Sequence, residues 1–152
     1  MSLTRPQVEG IAHLARLEIT EAQMPVYVDS LSRIIDFVEQ EGVREEMQEF
    51  VNPLADLGDK VTKLTTELGM KAFQNPDEVG AAAVDYLRVV GHLCFAYFFA
   101  RSAKIALAKK DSGDPFYTAK LATARFYFAK LLPETAGLIR SARAGVAPLM
   151  AM

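Results

Sequence analysis

NPDEVGAAAVDYLRVVGHLCFAYFFARSAKIALAKKDSGDPFYTAKLATARFYFAKLLPETAGLIRSARAG, residues 75–145, is the stretch whose reading decides the fold. Asn75-Pro76 and Asp114-Pro115 each set a capping side chain directly before a proline, an arrangement that opens helices because an amide in the first turn lacks an intrahelical partner anyway. The first helix is predicted from Pro76 to about Lys110, and its middle is apolar on most sides, which places it at the centre of a bundle. The second runs from Pro115 to about Ala144 and carries Phe116, Leu121, Phe128, Leu131, Leu132, Leu138 and Ile139, with a kink expected at the interior Pro133. Asp111-Ser-Gly-Asp114 is too short for anything but a tight loop, so residues 76–110 and 115–144 should form a long antiparallel pair. The most apolar run, Val89 to Ala100, is about half the ~20 residues of a spanning helix and is bracketed by Arg88 and Arg101, which makes it a buried core helix rather than a membrane segment.

Upstream, Thr4 and Gln7 form a capping-box pattern ahead of Val8, Ile11, Leu14, Ala15 and Leu17 at helical spacing, predicting a helix over about 5–17. Thr20 and Gln23 repeat the pattern ahead of Val28, Leu31, Ile34, Ile35 and Val38, with Asp29, Arg33, Asp36 and Glu39 largely off the stripe, predicting a helix over about 21–40. Asn52-Pro53 marks a third start, with Leu54, Leu57, Val61, Leu64 and Leu68 on one face and an earlier turn at Glu45 to Phe50. No stretch alternates with strand period. The expected fold is all-α, a bundle of about five helices, with the N-terminal hairpin packed on or swapped over a larger three-helix unit.

The chain's 152 residues suffice for one core without metals or disulfides. Hydrophobic residues make up 51% and charged residues 24%, which is globular composition. A net charge of −2 supplies no positive field for a phosphate backbone, so nucleic acid is not an expected partner. Cys94 is the single cysteine, and MSLTRPQVEG has no apolar signal core, so a reducing cytoplasm is the expected setting. Residues 1–43 hold three Lys/Arg against seven Asp/Glu, whereas the remainder holds fourteen against twelve, a change of character near residue 43.

Residues 4–40, TRPQVEGIAHLARLEITEAQMPVYVDSLSRIIDFVEQ, resemble the N-terminus of the C subunit of aspartyl/glutamyl-tRNA amidotransferase. The likeness rests on Val8, on the run Ile11-Ala-His13-Leu-Ala-Arg16-Leu17, and on Leu31, Ile34, Asp36 and Phe37. It implies a helical hairpin that packs on the catalytic subunit as an assembly factor and contributes no chemistry; the family's wrapping segment is missing or reduced to Glu41-Gly42-Val43. From about Glu45 the chain is similar instead to the extra C-terminal helical region of large bacterial acyl-CoA dehydrogenases. That likeness rests on NPDEVGAAAVDYLRVVGHL at 75–93, on FYTAKLATARFYFAKLLPETAGLIRSARAG at 116–145, and on the ending PLMAM. It implies an accessory region, since the flavin site and catalytic glutamate of those enzymes lie in upstream domains. Two domains are therefore expected, 1–43 and 44–152, joined as an artificial or accidental chimera.

No residue is expected to be catalytic, cofactor-binding or metal-ligating. His13 and His92 lack a second ligand at i+3 or i+4, and His92 and Cys94, two apart on a helix, point in different directions. Glu45, Glu46 and Glu49 read as a solvated helix face, and Cys94 as a small buried apolar residue. Among Asp85, Arg88, Arg101 and Arg125 a structural ion pair such as Asp85 with Arg125 is expected. The aromatics at Phe95, Tyr97, Phe98, Phe99, Phe116, Tyr117, Phe126, Tyr127 and Phe128 could line an acyl-chain pocket, but at this density core or a contact with another chain is expected; two turn-long runs must face outward in part, so a homodimer or higher oligomer is expected. The functional expectation is a non-catalytic structural protein. The alternatives are an adapter docking on the amidotransferase through residues 4–40, and a flavoenzyme accessory piece that retains acyl-CoA affinity.

Overall fold

The computed structural model describes residues 3–151, so Met1 and Ser2 of the opening segment and Met152 of the PLMAM ending lie outside the described residues. Six helices follow in order: α1 Arg5–Leu14, α2 Met24–Glu41, α3 Gln48–Gln74, α4 Asp77–Ala108, α5 Pro115–Phe126 and α6 Thr135–Ala144, with a closing helical turn at Ala147–Met150. Among the described residues there is no strand, and the all-α bundle is as expected.

The central helix is α4, which packs against α1, α3, α5 and α6. Its buried side is lined by alanines, with Ala96, Ala100 and Ala103 wholly inaccessible, and Ala124 of α5 and Ala142 of α6 are equally buried. Small side chains let helix axes approach closely, so van der Waals contact is made along the backbone itself. On α3 the expected face is buried throughout: Leu54, Leu57, Val61, Leu64 and Leu68. Between the two helices, wholly buried Tyr86 bonds Thr65 Oγ1 at 2.7 Å. Because the Thr65 hydroxyl donates to the Val61 carbonyl, Tyr86 is the donor, and burial pushes its phenol up to about 12.

The long pair is antiparallel, and its register can be read from three contacts: Lys109 with Tyr117, His92 with Tyr127, and Arg88 with Glu134. The second arm is not one kinked helix. It passes through a π turn at Tyr127–Leu131 and a 3-10 turn at Leu132–Glu134, where Pro133 removes an amide donor, before α6 resumes the bundle.

Three boundaries differ from the sequence expectation. α1 stops at Leu14 because Arg16 turns left-handed at φ 55, and the Leu17 amide bonds back to the Ala12 carbonyl. At α2, the Thr20–Gln23 box closes a turn whose side-chain bond measures 3.1 Å, and the helix begins at Met24. α3 starts at Gln48, so Asn52-Pro53 lies inside a helix rather than opening one. Burial of Met47, Phe50 and Val51, with Phe50 edge-on to Phe128 at 5.5 Å, carries the helix upstream across the proline. The other two caps behave as read: Asn75 accepts from the Asp77 amide and Asp114 from the Phe116 amide.

The hairpin α1–α2 packs on the bundle of its own chain. Leu14, Ala15, Ile34 and Phe37 belong to the same core as α3, α4 and α6. At the far end Gly145 takes φ 73, and a Cβ there would lie 2.5 Å from Glu78 Oε2. The dihedral favours glycine, and a side chain there would also displace the Glu78 carboxylate. Gly145→Ala should therefore lower stability by about 1–3 kcal/mol, readable as a lower urea midpoint at unchanged slope. Leu64→Ala, at a wholly buried position, should cost about 2–5 kcal/mol in the same measurement.

Candidate functional site

The residues that the sequence singles out are not brought to one place. His13 is exposed on α1. His92 is half-buried on α4, and its carbonyl accepts the Tyr127 hydroxyl at 3.0 Å. With that proton committed, ring Nδ1–H of His92 donates to the phenol oxygen, also at 3.0 Å. Tyr127 stacks on Phe99 at 4.4 Å, and its burial, with the nearby Cys94 and Glu134, pushes the phenol up to about 12, so it stays a donor. The imidazole is therefore turned toward Tyr127 in the π turn, not toward Cys94, whose thiol is pushed up by burial. This is a structural lock between α4 and the π turn.

Arg125 does not pair with Asp85. It grips Glu49 at the start of α3 with Nε and Nη2, the shortest contact being 2.7 Å. The helix register gives the reason: Arg125 lies level with about residue 97 of α4, so Asp85 is about 18 Å away along the axis. Arg143 grips Glu67 in the same way at 2.6 Å, and Arg88 meets Glu134. The acidic cluster divides, with Glu46 held by Arg44 and Glu49 by Arg125. Such exposed pairs are screened by solvent and serve register more than stability.

The feature that sequence reasoning missed is the junction of hairpin and bundle. Phe37 stands edge-on to Tyr97 at 5.5 Å, and one turn further Glu41 is buried, its side chain 6% exposed. Lys104 of α4 reaches it at 2.5 Å and Arg44 at 3.1 Å. Burial alone would push the Glu41 carboxyl up, but the bonds and charges of Lys104 and then Arg44 outweigh it and hold the group below the usual carboxylate range. The available signal was a carboxylate at the next position of the Ile34 and Phe37 stripe, where an apolar residue is due.

Beside this clamp lies an apolar cavity of about 320 Å³ between α1, α2, α3 and α4, walled by Ile11, Ile34, Val38, Leu54 and Leu93. Its polar edge carries Glu39, Asp59 and Thr62. The volume fits a small apolar group, and the carboxylates disfavour an anionic head. Among the described residues no cluster of His, Cys, Asp and Glu suited to a metal is present.

Comparison with known proteins agrees with both resemblances. The family described as acetyl-CoA dehydrogenase C-terminal like matches residues 30–152. The C subunit of the aspartyl/glutamyl-tRNA(Asn/Gln) amidotransferase of Thioalkalivibrio sulfidiphilus is 41% identical over 75 residues, covering 49% of this chain and 76% of that protein. The Alkalilimnicola ehrlichii protein of the same description is 42% identical over 64 residues, covering 42% and 65%. For its Crocosphaera subtropica counterpart the identity is 53% over 38 residues, covering 25% and 39%. The longest of these matches and the family match together exceed the chain's length, so they overlap downstream of residue 30.

The Glu41 clamp sets an acid limit on stability. A carboxyl depressed in the folded state stabilises fully above its ordinary value of about 4.3 and loses that contribution as pH falls through the lower folded value. Glu41→Gln should therefore be less stable than the parent at pH 7, and the difference should shrink below about pH 4, as measured by urea denaturation at each pH.

Proposed function

We infer, for a chain that belongs to the acetyl-CoA dehydrogenase C-terminal-like family over residues 30–152 and to the family of aspartyl/glutamyl-tRNA amidotransferase C subunits over about half its length, that it is a non-catalytic, self-associating structural protein. The observation that carries this reading is the fate of the hairpin. Its apolar stripe, with Leu14, Ala15, Ile34 and Phe37, is spent on this chain's own core and so is not offered to an external partner. A chimera, artificial or accidental, in which one family's hairpin covers another family's bundle, accounts for that arrangement. The groups that resembled chemistry are engaged structurally: His92 by Tyr127, Glu46 by Arg44, and Glu49 by Arg125. Large apolar side chains left outside, among them Phe95, Phe98, Phe116 and Phe126, support self-association. A reducing cytoplasm, where Cys94 stays a thiol, suits this role.

A second reading, docking on the amidotransferase catalytic subunit, is favoured by the hairpin's tip. Leu17, Val26 and Tyr27 are exposed there, clear of the buried stripe. Pull-down of the full chain with that catalytic subunit discriminates. The structural reading expects no capture, whereas capture lost on Tyr27→Glu would establish the adapter. Acyl-CoA is a poor match for the cavity, because its phosphates would meet Glu39 and Asp59. Calorimetry with an acyl-CoA should give no heat of binding, and the protein should retain no added flavin through gel filtration.

A further inference from the structure

Three flanks of α4 are covered by the chain itself, and the fourth is not. Along that fourth face positions from Gly80 to Ile105, most of them exposed, recur at intervals of three and four within about 80° of arc, with the exposed Arg88 and Arg101 at its margins. From this face we propose, as the means of the self-association inferred above, that α4 pairs antiparallel with α4 of a second copy about a two-fold axis near Leu93.

The ground is that the face is complementary to itself when read in reverse. In this register Gly91 comes opposite Phe95 of the second copy. Gly91 is half-buried and a Cβ placed on it would meet nothing within 4 Å, while Phe95 is 59% exposed. One step outward Leu87 meets Phe98, both exposed. Val84 then meets Ser102, and Ile105 meets Gly80, whose Cβ position has only the Arg16 guanidinium within 4 Å. At the ends Asp77 meets Lys109, so opposite charges close the pair on both sides. Apart from Leu87 on Phe98, large residues thus face small ones, and an isologous contact delivers each pairing twice. A parallel pair would instead set Phe95 on Phe95 and Lys109 on Lys109, and would align the helix dipoles unfavourably.

The extent is sufficient. A strip about 50 Å long and about 10 Å wide buries on the order of 1,000 Å² over both copies, the threshold for a specific interface. The competing occupant is a lipid bilayer, since α4 has 32 residues and an 18-residue window of mean hydropathy 1.3. Insertion would require stripping α3, α5 and α6 from a helix whose alanine side they bury, whereas a second copy covers the open face with that packing intact.

The test is sedimentation of the full chain, with circular dichroism as the check on folding. The parent should sediment as a dimer. Phe98→Glu and Leu87→Lys, each at an exposed position, should keep helicity and melting behaviour while weakening the dimer by roughly a hundredfold, as loss of a central interface anchor does. In the double variant the carboxylate introduced on one copy faces the ammonium introduced on the other, twice over. Positions 87 and 98 are about three turns apart along α4, too far to pair within one chain, so dimerisation should return. A dimer indifferent to Phe98→Glu, or a double variant that stays monomeric, overturns this interface and leaves self-association standing. A parent that is monomeric at high micromolar concentration overturns both. Co-sedimentation of monomeric parent with phosphatidylcholine vesicles, abolished by Phe98→Glu, would assign the face to lipid instead.

Discussion

Close approach of helices to α4 is the constraint on which the rest of the structure depends. A 32-residue helix that is apolar nearly all round finds no stable place alone in water. Its alanines at 96, 100 and 103 solve part of the problem by admitting other helices close to the backbone. α3, α5 and α6 take up those approaches, and the Tyr86–Thr65 bond fixes the depth on one side while Tyr127 and His92 fix it on the other. Once these contacts exist, the remaining elements have little freedom.

Charged groups then act as registers rather than as chemistry. Glu49 with Arg125 and Glu67 with Arg143 tie α3 to the returning arm at two heights, both at its rim and both partly solvated. Their small individual worth suits alignment, because a one-turn slip would break both together. The Glu41 clamp differs in kind. It is buried, and it bridges α2 to α4. A buried carboxylate held between two helices of one core is a strong specifier of geometry, since without its cations it is a buried unpaired charge.

The surface left over divides into two parts with different physics. The cavity at the hairpin is lined by aliphatic side chains with an acidic edge, and it belongs to the packing of α2 on α3 and α4. The open side of α4 is an extended aromatic and aliphatic strip interrupted by glycines. Glycines in the midst of an apolar helix are costly unless something approaches them. The glycines and the charge difference between the two ends of the strip are the features that the proposed pairing of two copies uses.

By itself, the sequence determined the helical class, the central place of α4, the buried face of α3, the antiparallel return after Asp111–Asp114, and both family resemblances. These follow from local periodicity, from capping dipeptides, and from motifs held within single helices, and such information does not depend on distant contacts. What only the tertiary structure decided were matters of register. Arg125 meets Glu49 and not Asp85 because the antiparallel offset, unreadable from either helix alone, places Asp85 several turns away. Pro53 sits inside α3 because Met47, Phe50 and Val51 find a core across the bundle, and that burial outweighs a local stop signal. Glu41 becomes a buried clamp only because α2 lies on α4 at the height of Lys104. Local signals fix which face of a helix is apolar; which residue of the next helix stands opposite is set by packing many side chains at once.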